Sequence, residues 1–252
     1  MDRNEFVDRL DERLRTDDYA DVDASANGLQ VGRETGQVER VALAVDAAET
    51  TIREAIDRGA DALVVHHGLV WGGLDRLTGL DYDRIEPLVC EDVALYVSHL
   101  PLDGHQELGN AAGLADVLGL DAREPFGEFG PEYVGIRGSA TDPYGVGEMA
   151  TLLDRELDTE TQVLGFGPDE IEDVGIITGS GVDWIEAAAD AGLDALVTGE
   201  GKQKAYHEAR DLGLNVFLAG HYATETFGVR ALGSLLDDWG LETTYIDHPT
   251  GL

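Results

Sequence analysis

At 252 residues with 43% hydrophobic content, the chain carries enough apolar material for one large α/β domain or two modest ones, which excludes wholesale disorder. Its 51 acidic residues against 17 basic ones give a net charge of -34, a field that repels phosphate backbones and argues against nucleic acid as a main partner. No run approaches the ~18 apolar residues of a membrane span and the charged start lacks an apolar signal core, so the expected location is the cytoplasm, with no membrane partner.

In chain order, Phe6, Leu10 and Leu14 share one face of an opening helix over 5–14. The loop after it ends in Asn27-Gly28-Leu29-Gln30-Val31-Gly32, whose glycines suit tight turns or close backbone approach. Val41 to Val45 is apolar on both faces, as a buried parallel strand should be, and ends at Asp46. A helix over 49–58, stopped by Gly59, leads to a second strand over 62–65 that runs into His66-His67-Gly68. Histidines thus sit at the carboxyl end of a β-α-β strand, where ligand sites of parallel sheets gather. Cys90, the sole cysteine, lies in the apolar stretch 85–90 and reads as a small buried residue. A strand over 93–97 leads to His99 and Asp103, and a further helix is expected over 147–157.

The second half repeats the first. Arg58-Gly59-Ala60-Asp61-Ala62-Leu63-Val64 matches Ala191-Gly192-Leu193-Asp194-Ala195-Leu196-Val197, each after a strand (41–45, or 174–177) and a helix, so His66-His67 falls opposite Gly199-Glu200. The strand over 216–219 leads to His221 with Glu225 four residues on, as the strand over 93–97 leads to His99 and Asp103. The expected architecture is two similar α/β domains with mostly parallel sheets and a metal site in the cleft between them. The boundary falls near Pro125, giving domains over 1–125 and 126–252, with the last segment free to pack back on the first domain.

Successive side chains of a strand point to opposite sides, so His66 and His67 converge only if the chain turns, as Gly68 allows. Each could then face a different metal ion, with Asp103 and Glu225 as further ligands. On a helix after the strand, the i, i+4 spacing puts His221 and Glu225 on one face. Imidazole and carboxylate together suit zinc, iron, manganese, cobalt or nickel better than calcium. Asp46, Asn27, Glu200 and His207 are further cleft candidates, with plainer readings as a strand-end cap, a turn residue, a surface acid and a helix-surface histidine.

The segments Asn27-Gly28-Leu29-Gln30-Val31-Gly32, His66-His67-Gly68, Ser98-His99-Leu100-Pro101-Leu102-Asp103 with Leu108-Gly109-Asn110, Thr198-Gly199-Glu200, and Gly220-His221-Tyr222-Ala223-Thr224-Glu225 resemble, in this order, the Nif-three-like family (Ngg-interacting-factor-like proteins) over nearly the whole chain. Its members often carry the name GTP cyclohydrolase type 2 homolog. The resemblance implies two divalent metal ions per subunit, held by His66, His67, Asp103, His221 and Glu225, in a toroidal homohexamer. It implies metal-dependent hydrolysis of a nucleotide or related small molecule, with Glu200 or His207 as a catalytic proton shuttle, and His99 reads as lying beside the ligands and orienting one of them by a hydrogen bond. The alternative is a ring that stores, delivers or senses metal without turnover.

The acidic excess reads as a solvated surface suited to a high-salt cytosol, because like charges repel across a Debye length that shrinks as salt rises. The expected outcome is a melting temperature that climbs steadily with sodium chloride, with unfolding or subunit loss in dilute buffer. Scanning calorimetry across a salt series checks this, and full stability at low ionic strength would count against the reading.

Overall fold

The computed structural model describes residues 1–252, which divide into two compact units. Residues 1–102 and 228–248 form the first; residues 103–227 and 249–252 form the second. In chain order the first contains α1 (Arg3–Leu14), β1 (Gly28–Val31), β2 (Arg40–Asp46), α2 (Glu49–Asp57), β3 (Ala62–His67), α3 (Leu80–Cys90) and β4 (Ala94–Val97). A single-turn helix, α4 (Leu100–Asp103), carries the chain onward. The second unit contains α5 (Asn110–Val117), β5 (Leu120–Phe129), β6 (Glu132–Gly145), α6 (Val146–Leu157), β7 (Gln162–Gly165), β8 (Glu170–Ile176), α7 (Ile185–Asp190), β9 (Ala195–Thr198), α8 (Gln203–Leu212), β10 (Asn215–Leu218) and α9 (His221–Thr224). Helix α10 (Thr226–Asp238) and strand β11 (Glu242–Tyr245) return the chain to the first unit. No helix is long and apolar enough to cross a membrane.

The division differs from a single cut near Pro125. That proline lies inside β5, opposite Ile136 of β6, so a boundary there would split a paired hairpin. Its missing N–H is tolerated because β5 is the edge strand of its sheet.

The first unit is a five-stranded sheet in the order β1-β4-β3-β2-β11, parallel except for β1. Continuous apolar runs suit strands covered on both faces, and every residue from Val41 to Val45 and from Ala62 to His66 is buried. Ile52 and Ala55 of α2 and Leu88 of α3 pack on one face with Leu63, Val65, Leu95 and Val97. Phe6, Leu10 and Leu14 of α1 are buried as their spacing predicts, Phe6 meeting the ring of Tyr96 edge-on at 6.3 Å.

Cys90 departs from expectation: it is exposed. The apolar stretch that holds it is helical, continuing through Pro87, so only Ile85 and Leu88 fall on the inward face, and Val89 and Cys90 do not. The glycine-flanked segment 27–32 is likewise a strand rather than a loop: β1 pairs antiparallel with β4, with an irregularity between Leu29 and Val31.

The second unit holds a six-stranded mixed sheet, β5-β6-β8-β9-β10-β7, in which the β8-β9 and β9-β10 pairings are parallel and the remaining pairings antiparallel. Its core joins Met149 and Leu153 of α6 to Ile136, Ile171, Val174, Val197 and Phe217 of the strands.

The repeat read from the sequence recurs as one structural device. Gly59 and Gly192, at φ 69° and 74°, end α2 and α7 in the left-handed conformation that glycine adopts without strain. In each case the following amide reaches back five residues, Ala60 N–H to Ala55 O and Leu193 N–H to Ala188 O, both near 3 Å. The next aspartate then caps the neighbouring strand. Asp61 Oδ2 accepts from the backbone N–H groups of Glu39 and Arg40 at 2.9 Å, and Asp194 Oδ2 accepts from Glu172 and Asp173 at 2.9 and 3.0 Å. Two charge-assisted bonds hold each neighbouring strand, and bonds of this kind contribute about 1.5–3 kcal/mol each. Asp61→Ala and Asp194→Ala are each expected to lower unfolding free energy by roughly 1–2 kcal/mol, less than that sum because both sites are solvated. Urea titration of the two variants checks it.

Candidate metal centre

Three parallel strands of the first unit end side by side, and their carboxyl ends carry Asp46 on β2, His66 and His67 on β3, and Ser98-His99 after β4. Register places Asp46 opposite His67. His66 is fully buried, while His67, the last residue of β3, and His99, two residues beyond β4, are partly exposed. The imidazole rings nevertheless converge, with centroids 4.6 Å apart for His66 and His67, 5.2 Å for His66 and His99, and 5.7 Å for His67 and His99. One ring nitrogen from each lies within 4.8 Å of the others. Gly68 lets the chain leave this point: a β-carbon there would stand 2.6 Å from Val97 Cγ2 and 2.7 Å from the Gln30 amide.

Each imidazole faces an oxygen that can only accept. His66 Nδ1 donates to the Ser98 carbonyl at 2.9 Å, His67 Nδ1 to Asp46 Oδ1 at 2.9 Å, and His99 Nδ1 to Asp23 Oδ1 at 2.9 Å. With Nδ1 protonated in this way, the neutral ring carries its lone pair on Nε2, the form a metal ion needs. Asp46, read from the sequence as a cleft candidate, thus orients His67.

Asp23 went unnoticed in the sequence. Its side chain is 1% exposed, and besides His99 it accepts from the Asn27 side-chain amide and the backbone N–H groups of Ser25 and Leu100. Burial works to raise its pKa, but the bond and charge of His99, together with Asn27 and Ser25, outweigh burial and hold the carboxyl below its ordinary value. Asn27 completes the loop by accepting the His99 backbone N–H at 2.8 Å, so His99 is fixed at both its ring and its backbone.

The second unit assembles its candidates at the same edge of its own sheet. Asp103 is buried and accepts from Asn110 Nδ2 at 2.9 Å and Thr178 Oγ1 at 3.2 Å. His221 opens α9 after β10, and Glu225 follows the helix. Their i, i+4 spacing sets His221 Nε2 3.3 Å from Glu225 Oε2, with Glu225 only 3% exposed. A β-carbon at Gly179, just after β8, would collide with Glu225 Oε1 and come within 3.1 Å of His221 Nε2. The chain therefore leaves a cradle around these two groups that only glycine keeps open.

Glu200 is exposed after β9 and sets Oε2 3.4 Å from His221 Nδ1. The His221 pKa is pushed up to about 9, first by its hydrogen bond to Glu225, against burial, and further by the charges of Glu225 and Glu200. His207 is a surface residue of α8 that meets the ring of Tyr206 edge-on at 5.5 Å, as the plainer reading had it. The structure does not bring it to His221 or Glu225. In the first unit the three imidazoles, each with Nδ1 committed, and in the second His221 with the buried carboxylates of Asp103 and Glu225, are groups of the kind that could bind a metal ion.

The sequence profile of the Duf34/NIF3 (NGG1p interacting factor 3) family matches residues 1–250. The chain belongs to this family. A relative from Halobacterium salinarum, named GTP cyclohydrolase 1 type 2 homolog, is 57% identical over the whole of both chains. Among solved structures, TTHA1606 from Thermus thermophilus superposes with a TM-score of 0.91 at 40% identity, and the protein ybgI, titled as of unknown function, with 0.92 at 35%, each covering all of both chains.

In metal-stripped protein, the His221 ring is expected to titrate near 9 by NMR. Because this folded-state pKa lies above the unfolded 6.5, the stability it contributes is complete below pH 6.5 and lost as pH rises through about 9. Glu225→Gln should bring the titration back toward the ordinary histidine range; an unchanged value would show that Glu225 does not set it.

Proposed function

We propose that the protein is a dinuclear metal-dependent hydrolase of the cyclohydrolase kind for which its relatives are named, acting on a nucleotide or related small molecule. The proposed ligands are His66, His67, Asp103, His221 and Glu225. The observation that carries this reading is the locking of His66 and His67 by Nδ1 bonds to Ser98 O and Asp46, which turns both Nε2 lone pairs into ready donors.

Divalent ions held by this set supply Lewis acidity and lower the pKa of water toward neutrality. The chain's own groups have distinct parts in the proposal. Asn110 and Thr178 donate to one oxygen of Asp103 and hold its carboxylate in place. Glu225 and Glu200 hold a proton on His221, and that proton would have to leave before the ring could take a metal ion. Glu200, exposed and beside His221, can carry protons between this position and solvent. His207 lies on the α8 surface, so a shuttle role for it finds no support in its surroundings. We further propose assembly as a toroidal homohexamer and adaptation to high salt, consistent with the net charge of -34.

Elemental analysis of untagged protein purified in high salt is expected to find about two transition-metal ions per chain, the count of a two-metal site. A His66→Ala, His221→Ala double variant should lose most of them. With the parent loaded, formate release from GTP and related nucleotides tests turnover. Bound metal without any hydrolysis would favour storage, delivery or sensing, whereas no metal even after reconstitution would overturn the centre itself.

A further inference from the structure

One large aromatic side chain at the histidine cluster is left half open to solvent. Trp71 is 44% exposed, yet its ring centroid lies 4.9 Å from that of His99 and 6.1 Å from that of His67. The contact to His99 is near-perpendicular, at 76°, which covers only part of the ring. An exposed indole on a loop would ordinarily be mobile, but this one is pinned. Its Nε1–H donates to Gly68 O at 3.1 Å, and its backbone bridges to Ser25. The residues around it are tied as well. Leu69 and Val70 N–H donate to Gln30 Oε1 at 2.5 and 3.0 Å, Gly72 N–H donates to Ala24 O at 2.7 Å, and Ala26 N–H donates to Val70 O at 3.1 Å.

Rigid fixation of an apolar ring in water forgoes the burial that usually orders a tryptophan. The arrangement makes physical sense if a ligand supplies the missing contact. We infer that Trp71 is a stacking platform and a positioning residue for a planar nitrogen heterocycle that carries little net negative charge, such as a nucleobase or nucleoside. The inference deepens the metal-hydrolase reading and rests on it for the role of the neighbouring imidazoles. Every such heterocycle offers a π-face, so stacking selects for flatness, while the ring nitrogens it brings face the histidine cluster. The acidic field disfavours a polyanion, whereas an uncharged ring meets no such penalty.

The test is isothermal titration of guanosine, with ribose as the non-planar control, into metal-loaded parent, Trp71→Phe, Trp71→Leu and Trp71→Ala proteins in high salt. Metal content and melting temperature are measured on each. Guanosine, not ribose, should bind the parent. Trp71→Phe should stay within about threefold of it, while Trp71→Leu and Trp71→Ala weaken binding roughly ten- to a hundredfold at unchanged metal content and melting temperature. Leucine keeps apolar bulk without a π-face, so it separates stacking from simple packing. Absence of guanosine binding by the parent, or equal binding by the leucine and alanine variants, overturns the inference. Trp71-dependent binding to a parent that holds no metal would keep the platform and remove the hydrolase reading instead.

Discussion

The committed Nδ1 nitrogens of His66, His67 and His99 are the constraint on which the candidate centre depends. A free imidazole samples two tautomers and a wide range of ring angles, and a metal ion binding it must supply the energy of choosing. Here a carbonyl just beyond a strand, a strand-end aspartate and a loop aspartate make the choice in advance, each at 2.9 Å. Two of the three acceptors belong to the sheet or directly follow it, so the precision of the centre is inherited from the register of β2, β3 and β4. A slip of one residue in that register would turn His66 and His67 to opposite faces and dissolve the arrangement.

The same economy appears in the way both sheets are built. A left-handed glycine, a backward-reaching amide and an aspartate that caps the adjacent strand recur at 59–61 and 192–194. These devices set where β3 and β9 begin, and therefore where their carboxyl ends fall. The halves diverge beyond that point. Pairing Ala62 with Ala94 and Ala195 with Asn215 leaves His99 two residues after the end of β4 but His221 three after β10. The extra residue, Gly220, has φ 90° and delivers His221 to the start of a helix, where Glu225 can reach it. His99 instead takes its partner from the loop before β1.

Much of this was legible in the sequence. The buried strands, the face of α1, the stop of α2 and the strand-end histidines followed from periodicity and glycine placement, because those signals are local. Asp23 was not legible, for a reason particular to this chain: among 51 acidic residues, one that holds a histidine looks like any that faces solvent. Cys90 misled because an apolar stretch does not reveal which period it follows, and Pro87 made a helix look interrupted when it continues. Pro125 passed for a linker residue because an edge strand hides its lack of a donor. Strand β11, four residues rich in threonine and glutamate, has too little apolar character to announce itself, and only its pairing with β2 defines it.

That pairing also gives the first unit an unusual history. Strand β2 emerges early in synthesis, but the neighbour that covers its outer edge is made only after residues 103–227, nearly all of the second unit, have left the ribosome. Until then an apolar strand offers an open row of hydrogen-bonding groups to any other chain that passes, the circumstance under which sheet proteins aggregate. Repulsion among the chain's many carboxylates opposes the association of such copies, so the charge that colours the folded surface acts also in the interval before the chain can close its own sheet.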